Sequence, residues 1–169
     1  ISRVISEQFG FYHVGIFLND PTDQIALLGA ANSEGGQRML ARGHQLKVGE
    51  QGIVGFVTGT GRPRIALDVG DDAIFFNNPD LPETRSEMAL PLRLRGRVIG
   101  VLDVQSVEAN AFTEKDVKTI GILADQIAIA IENTRLLAES KQALAESQSL
   151  YGNFINRAWE RKTAQSALG

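Results

Sequence analysis

Apolar positions at Ile1, Val4, Ile5 and Phe9 recur at helical spacing, and Gly10 is a natural stop, so a helix runs into residue 10 from the first residue. Residues 11–18 are aromatic and β-branched and predict a strand. Asn19-Asp20-Pro21-Thr22-Asp23 supplies turn chemistry, and residues 25–31 return as a second strand, making a hairpin. A polar stretch at 33–43 suits a short helix and 45–48 a short edge strand. Ile53 and Val57 lie four apart among glycines, which predicts a short helix over 51–58, ended by Gly59, Gly61 and Pro63.

Residues 64–69 form a further strand, followed by a long polar loop over 70–84 that carries Phe75 and Phe76. Two adjacent aromatic rings in a loop either plug the core or close over a cavity. Residues 86–92 and 98–104 flank a two-residue turn at Arg95-Gly96. Both are apolar on both faces, which places them in the middle of a sheet covered on both sides. Thr113 and Asp116 sit at capping-box positions and open a long helix. Ile120, Leu123, Ala124, Ile127 and Ile131 share one of its faces, while Ile122, Ile129 and Leu136 line the opposite one. A helix apolar all round has to be covered all round. The sheet can cover one face; the other calls for the first helix, a second copy of the chain, or both.

Beyond residue 138 the apolar positions thin to one pair per heptad: Leu136-Leu137, Ala143-Leu144 and Leu150-Tyr151. Phe154, Ile155, Ala158 and Trp159 make a further amphipathic patch. Residues 1–138 are therefore expected to be one domain and 139–169 a helical connector toward a downstream domain. With a helix already under way at Ile1, the chain is expected to be cut from a longer protein.

Composition removes several chemistries. Among 169 residues there is no cysteine, so thiolate nucleophiles, disulfides and Cys-ligated metals are excluded within this chain. A net charge of −3 and one short basic run (Arg93, Arg95 and Arg97, across a turn) give no reason to expect a nucleic-acid partner. No run of about 18 apolar residues could span a bilayer, and a cytoplasmic setting without direct membrane contact is expected. Gly49-x-x-Gly52-x-x-Gly55 matches neither a phosphate-binding loop nor the dinucleotide fingerprint. His13 and His44 lack a carboxylate motif that would make a metal or haem site, so no metal or cofactor is expected. Glu87 and Asp103 fall on neighbouring strands at a spacing that fits no hydrolase motif, and read as solvated or hydrogen-bonded carboxylates. Nothing marks a catalytic centre.

Three stretches carry a family resemblance: FGFYHVGIF at 9–17, GEQGIVGFV at 49–57, and SEMALPL at 86–92 continuing through GRVIGVLDV at 96–104, with FTEKD following at 112–116. Over residues 6–137 the chain resembles a GAF domain. The resemblance implies an α+β fold with a central antiparallel sheet of about six strands. The terminal helices would pack on one face, and loops with short helices would enclose a small-molecule pocket on the other. It also implies a regulatory role in bacterial signalling proteins such as sensor histidine kinases.

Cyclic-nucleotide GAF domains carry Asn-Lys after this strand and Asp-Glu in the next helix. Here those places hold Gln105-Ser106 and Asp116-Val117, which argues against a cyclic nucleotide. Bilin attachment and GAF-type methionine sulfoxide reduction both need a cysteine. The expected ligand contacts are Phe75 and Phe76 from the loop, Phe56 from the short helix, and Arg85, Ser86 and Met88 at the start of the next strand. Ser86 and Met88 would face the pocket, with Arg85 reaching an anionic group. A homodimer through the terminal helices is expected; the alternative function is a ligand-free dimerisation and relay module.

Overall fold

The structure, a computed structural model, describes residues 1–72 and 74–166, with side chains through residue 152. The chain divides into two units, Ile1–Ile129 and Ala130–Gly169. In the first unit, helix α1 (Ser2–Phe9) leads into strands β1 (His13–Asn19) and β2 (Ile25–Ala31). Helix α2 (Glu34–Ala41), strand β3 (Gln45–Lys47), helix α3 (Gly52–Thr60) and strand β4 (Arg64–Ala66) follow. A 3₁₀ turn at Val69–Asp71 and a loop then reach strands β5 (Ser86–Leu94) and β6 (Arg97–Ser106), and helix α4 (Glu114–Ser166) closes the chain.

The six strands form one antiparallel sheet in the order β3-β2-β1-β6-β5-β4. This is the α+β architecture expected from the sequence. The two apolar strands 86–94 and 97–106 sit at positions five and four of that order, with neighbours on both sides. Their hairpin turns at Arg95 (φ 52°) and Gly96 (φ 82°), and both residues are left-handed, as a two-residue type I′ turn requires.

β1 begins at His13, two residues later than the sequence suggests. The reason is local: the Gly10 and Phe11 N–H groups both donate to the Ser6 carbonyl, capping α1. Phe11 instead stacks its ring on Phe9 at 5.6 Å. β4 stops at Ala66 because the Asp68 side chain accepts from the Gly70 N–H and turns the chain into the 3₁₀ segment.

Cross-strand register sorts the central residues into two faces. Phe17, Val101 and Ala89 join Met39 of α2, Ile53, Val54 and Val57 of α3, and Leu81 of the loop in one buried cluster. Val14, Ile16, Met88, Leu90, Leu102 and Val104 project from the other face and are equally buried. The terminal helices cover that side with Ile5 of α1 and Ile120, Ala124, Ile127 and Ala128 of α4. The start of α4 is fixed by the reciprocal pair of the Thr113 N–H to Asp116 (2.9 Å) and the Asp116 N–H to Thr113 (3.2 Å). Ile122 and Ile129, at 64% and 45% exposure, are left uncovered.

In the second unit α4 continues with exposed Leu136, Leu137, Leu144, Leu150 and Tyr151. Arg135 spans Glu132 and Glu139. The expected patch of Phe154, Ile155, Ala158 and Trp159 lies outside the residues whose side chains are described. No helix among the described residues is long and apolar enough to cross a membrane.

Candidate functional site

A cavity of about 30 Å³ lies between the sheet and the elements that cover its Phe17 face. Its walls are apolar: Phe17 from β1, Met39 from α2, Leu46 from β3, Ile53 and Val54 from α3, and Leu81 from the loop. Phe76, 40% exposed, forms part of the rim. Gly52 makes its approach possible: it holds a left-handed φ of 67°, and a Cβ there would sit 3.0 Å from the Phe76 Cβ. Such a cavity holds one or two waters as it stands.

The floor is polar, and the register of three strands explains why. His13 of β1 pairs with Gln105 of β6, which pairs with Glu87 of β5. One step along, Gly15 pairs with Asp103, which pairs with Ala89. Asp103 is thus flanked by the two smallest side chains available, and Glu87, Asp103 and Gln105 all line the cavity. Glu87 is 4% and Asp103 2% exposed, so this floor is buried.

Its hydrogen bonds run in one chain. The Thr84 hydroxyl donates to the Gln105 amide oxygen (2.6 Å), and the Gln105 amide N–H donates to Asp103 Oδ2 (2.7 Å). Asp103 Oδ1 has no ordinary donor among the described residues. Its neighbour is the Glu87 carboxyl, within hydrogen-bonding reach. Two ionised carboxylates cannot occupy such a position together, so the pair shares a proton held mainly on Glu87. Burial pushes the Glu87 carboxyl well above the usual carboxylate range, and the charges of Asp103 and then Asp72 raise it further. Burial also raises Asp103, to about 6, against the lowering effect of its bonds to Gln105 and Glu87.

The surrounding groups bring no free positive charge. His13 is held neutral by burial, its pKa lowered to about 4. Its Nδ1 lies 2.7 Å from the Ser33 hydroxyl, which already accepts from the Gly36 N–H. The direction of that bond depends on the ring tautomer, since the hydroxyl can donate to Nδ1 or accept from it; the other ring nitrogen is Nε2. That atom lies against Gly15, without a partner among the described residues. His44, at the cavity wall, is also lowered, first by burial and then by Arg42. Arg64 is held bidentately by Asp72 (2.8 and 2.9 Å) and lies over the Phe56 ring.

Of the six residues expected to contact a ligand, Phe76 alone lines this cavity. Phe75 and Phe56 pack against the core cluster. Arg85 points outward, paired with Asp68 at 3.2 Å. The expectation for Ser86 and Met88 is corrected, because both project from the opposite face of β5. The Ser86 hydroxyl donates to the Glu108 carbonyl there, and Met88 is fully buried. Of the two readings of Glu87 and Asp103, burial removes the solvated one, while Asp103 is hydrogen-bonded by Gln105 at 2.7 Å. A signal for the cavity face was present: Glu87, Asp103 and Gln105 are polar residues at alternate positions of strands otherwise apolar on both faces.

The sequence profile of the GAF domain family matches residues 1–132, and the chain belongs to that family. No curated protein matches the sequence. Among solved structures it is similar to a free methionine-R-sulfoxide reductase from Neisseria meningitidis in complex with its substrate. The two share 28% identity at a TM-score of 0.69, over 80% of this chain and 75% of that one. It is also similar to the GAF domain of an Acinetobacter phosphoenolpyruvate-protein phosphotransferase (21% identity, TM-score 0.66, 80% and 79% covered). A methyl-accepting chemotaxis protein, residues 122 to 287, is a further likeness (21%, TM-score 0.68, 80% and 87% covered). The fold thus occurs in both regulatory and enzymatic proteins.

Proposed function

We propose that this chain is a regulatory sensory domain. In this reading it binds a small molecule in the cavity over Glu87, Asp103 and Gln105 and passes a conformational bias through its terminal helices to an output domain. The observation that carries the proposal is the buried carboxyl pair on the floor of an apolar cavity. A fold that needed only a packed core would gain by filling this space with hydrocarbon.

The setting we infer is a cytoplasmic signalling protein of the sensor-kinase kind, with residues 139–169 as connector. The likeness to a methyl-accepting chemotaxis protein supports a signalling setting. The likeness to methionine sulfoxide reductases supports a small-molecule site, whereas thiol chemistry has no residue to perform it in a chain without cysteine. Dimerisation through the stripe of Ile122, Ile129 and, one heptad on, Leu136 belongs to the same reading, since all three are exposed. The small volume of the cavity favours a second reading, a ligand-free relay module.

A thermal-shift screen of metabolites separates the two, because a ligand that binds only the folded chain raises its melting temperature with saturation. Hits are expected to weaken on Ile53→Trp, which fills the cavity. Hits of equal strength on that variant, or none from a broad screen, reject the sensory reading.

A further inference from the structure

Resting on the reading of this cavity as a ligand site, we infer that its occupant is a small organic cation whose primary ammonium head sits on Glu87 and Asp103. The floor has more acceptors than donors. Gln105 gives its one described N–H bond to Asp103 Oδ2, and its carbonyl oxygen is already taken by Thr84. Asp103 Oδ1 is left without a donor beyond the proton shared with the Glu87 carboxyl. An ammonium brings three N–H donors and a positive charge together, which is what this floor lacks.

No neighbouring side chain supplies that charge. His13 and His44 are neutral rings, Arg64 is held by Asp72, and Arg38 and Arg42 are held by Asp80. Gly15 and Ala89, on either side of Asp103, leave the carboxylate open to the cavity. The walls then narrow the class from any cation to an organic one. Phe17, Ile53 and Phe76 offer apolar and aromatic surface to an alkyl stem, where a hydrated alkali ion would lose its shell without replacement. A stem of more than a few atoms requires Phe76 to swing outward, and Phe76 stands at the rim.

The test uses the 169-residue chain with four probes at pH 8: ethylammonium chloride, sodium chloride, acetamide and sodium acetate. Amide chemical shifts along β5 and β6 and the melting temperature are followed for the native sequence, Glu87→Gln and Asp103→Asn. Ethylammonium is expected to shift the Glu87 and Gln105 amides saturably, and the other three probes are not. Each substitution should weaken that binding roughly ten- to a hundredfold, as loss of a hydrogen bond to a charged group does. Urea unfolding checks that both variants stay folded. Ethylammonium binding of equal strength in both folded variants overturns the inference, as does the absence of a saturable shift up to roughly 0.1 M. If acetamide or acetate binds in place of ethylammonium, the cavity remains a ligand site and the cation assignment falls. If no probe and no screened metabolite binds, both fall together.

Discussion

Replacing Glu87 by glutamine is expected to remove the dependence of stability on pH above neutrality, and the sign follows from where its proton sits. Burial and the Asp103 charge raise the Glu87 carboxyl well above 4.5 in the folded chain. Between that ordinary value and the raised one, the folded state binds the proton while the unfolded state has released it. Stability therefore falls as pH rises through this window.

Other groups overlap with it at acid pH. Asp103, raised to about 6, acts in the same direction up to about that pH. His13, lowered to about 4 by burial, acts oppositely, costing stability as pH drops below 6.5. Burial works to raise Asp72, but Arg64 and the Ile74 and Phe75 N–H groups together hold it below its ordinary value, and its contribution is lost only in acid. His44, also lowered by burial, acts like His13. Above about pH 7.5 all of these groups have nearly the same protonation in both states, and Glu87, unlike them, retains a slope. One proton is worth about 1.4 kcal/mol per pH unit, so stability should fall by at most about 1.4 kcal/mol between pH 7.5 and 8.5.

The glutamine keeps the shape and can donate an N–H to Asp103 at every pH, so its curve should be flat and lie above that of the native chain at pH 8.5. Urea unfolding at three pH values and constant ionic strength measures this directly. Native stability that is level or rises over that range would refute the shared-proton account. So would an unchanged slope in Glu87→Gln.

Leu102→Ala, on the terminal-helix face of β6, should cost about 2–5 kcal/mol, because a fully buried side chain is removed between covered layers; a nearly unchanged urea midpoint contradicts that packing. Gly52→Ala should cost about 1–2 kcal/mol, from a left-handed φ and from crowding at the Phe76 Cβ, and should shift the Phe76 amide. An unchanged midpoint and amide would mean that Phe76 does not close over Gly52. Ile129→Glu should weaken self-association in sedimentation, and a native chain that is monomeric at high concentration removes the proposed helix seam. Arg85→Ala should leave the affinity of a cavity ligand unchanged, since Arg85 pairs with Asp68 away from the cavity. A large loss would return Arg85 to the site.

The sheet was legible in the sequence because its signals are local. Asn19 to Asp23 turns the first hairpin, Arg95-Gly96 turns the last, and the doubly apolar strands on either side of that last turn announce a central position. Thr113 and Asp116 likewise fix the start of α4 through contacts three residues apart. The face of the cavity was not legible in this way. Alternation along β5 separates Ser86 and Met88 from Glu87, but it does not say which set looks toward α1 and α4 and which toward α2 and α3. That choice depends on the packing of segments far apart in the chain, and a one-residue difference in facing exchanges every side chain on the strand. The carboxyl pair is tertiary in the same sense. Sequence places Glu87 and Asp103 sixteen residues apart, each an ordinary acid. The hairpin register sets them on one face, and the closure of α2, α3 and the Phe76 loop above them removes the water that would have kept both ionised.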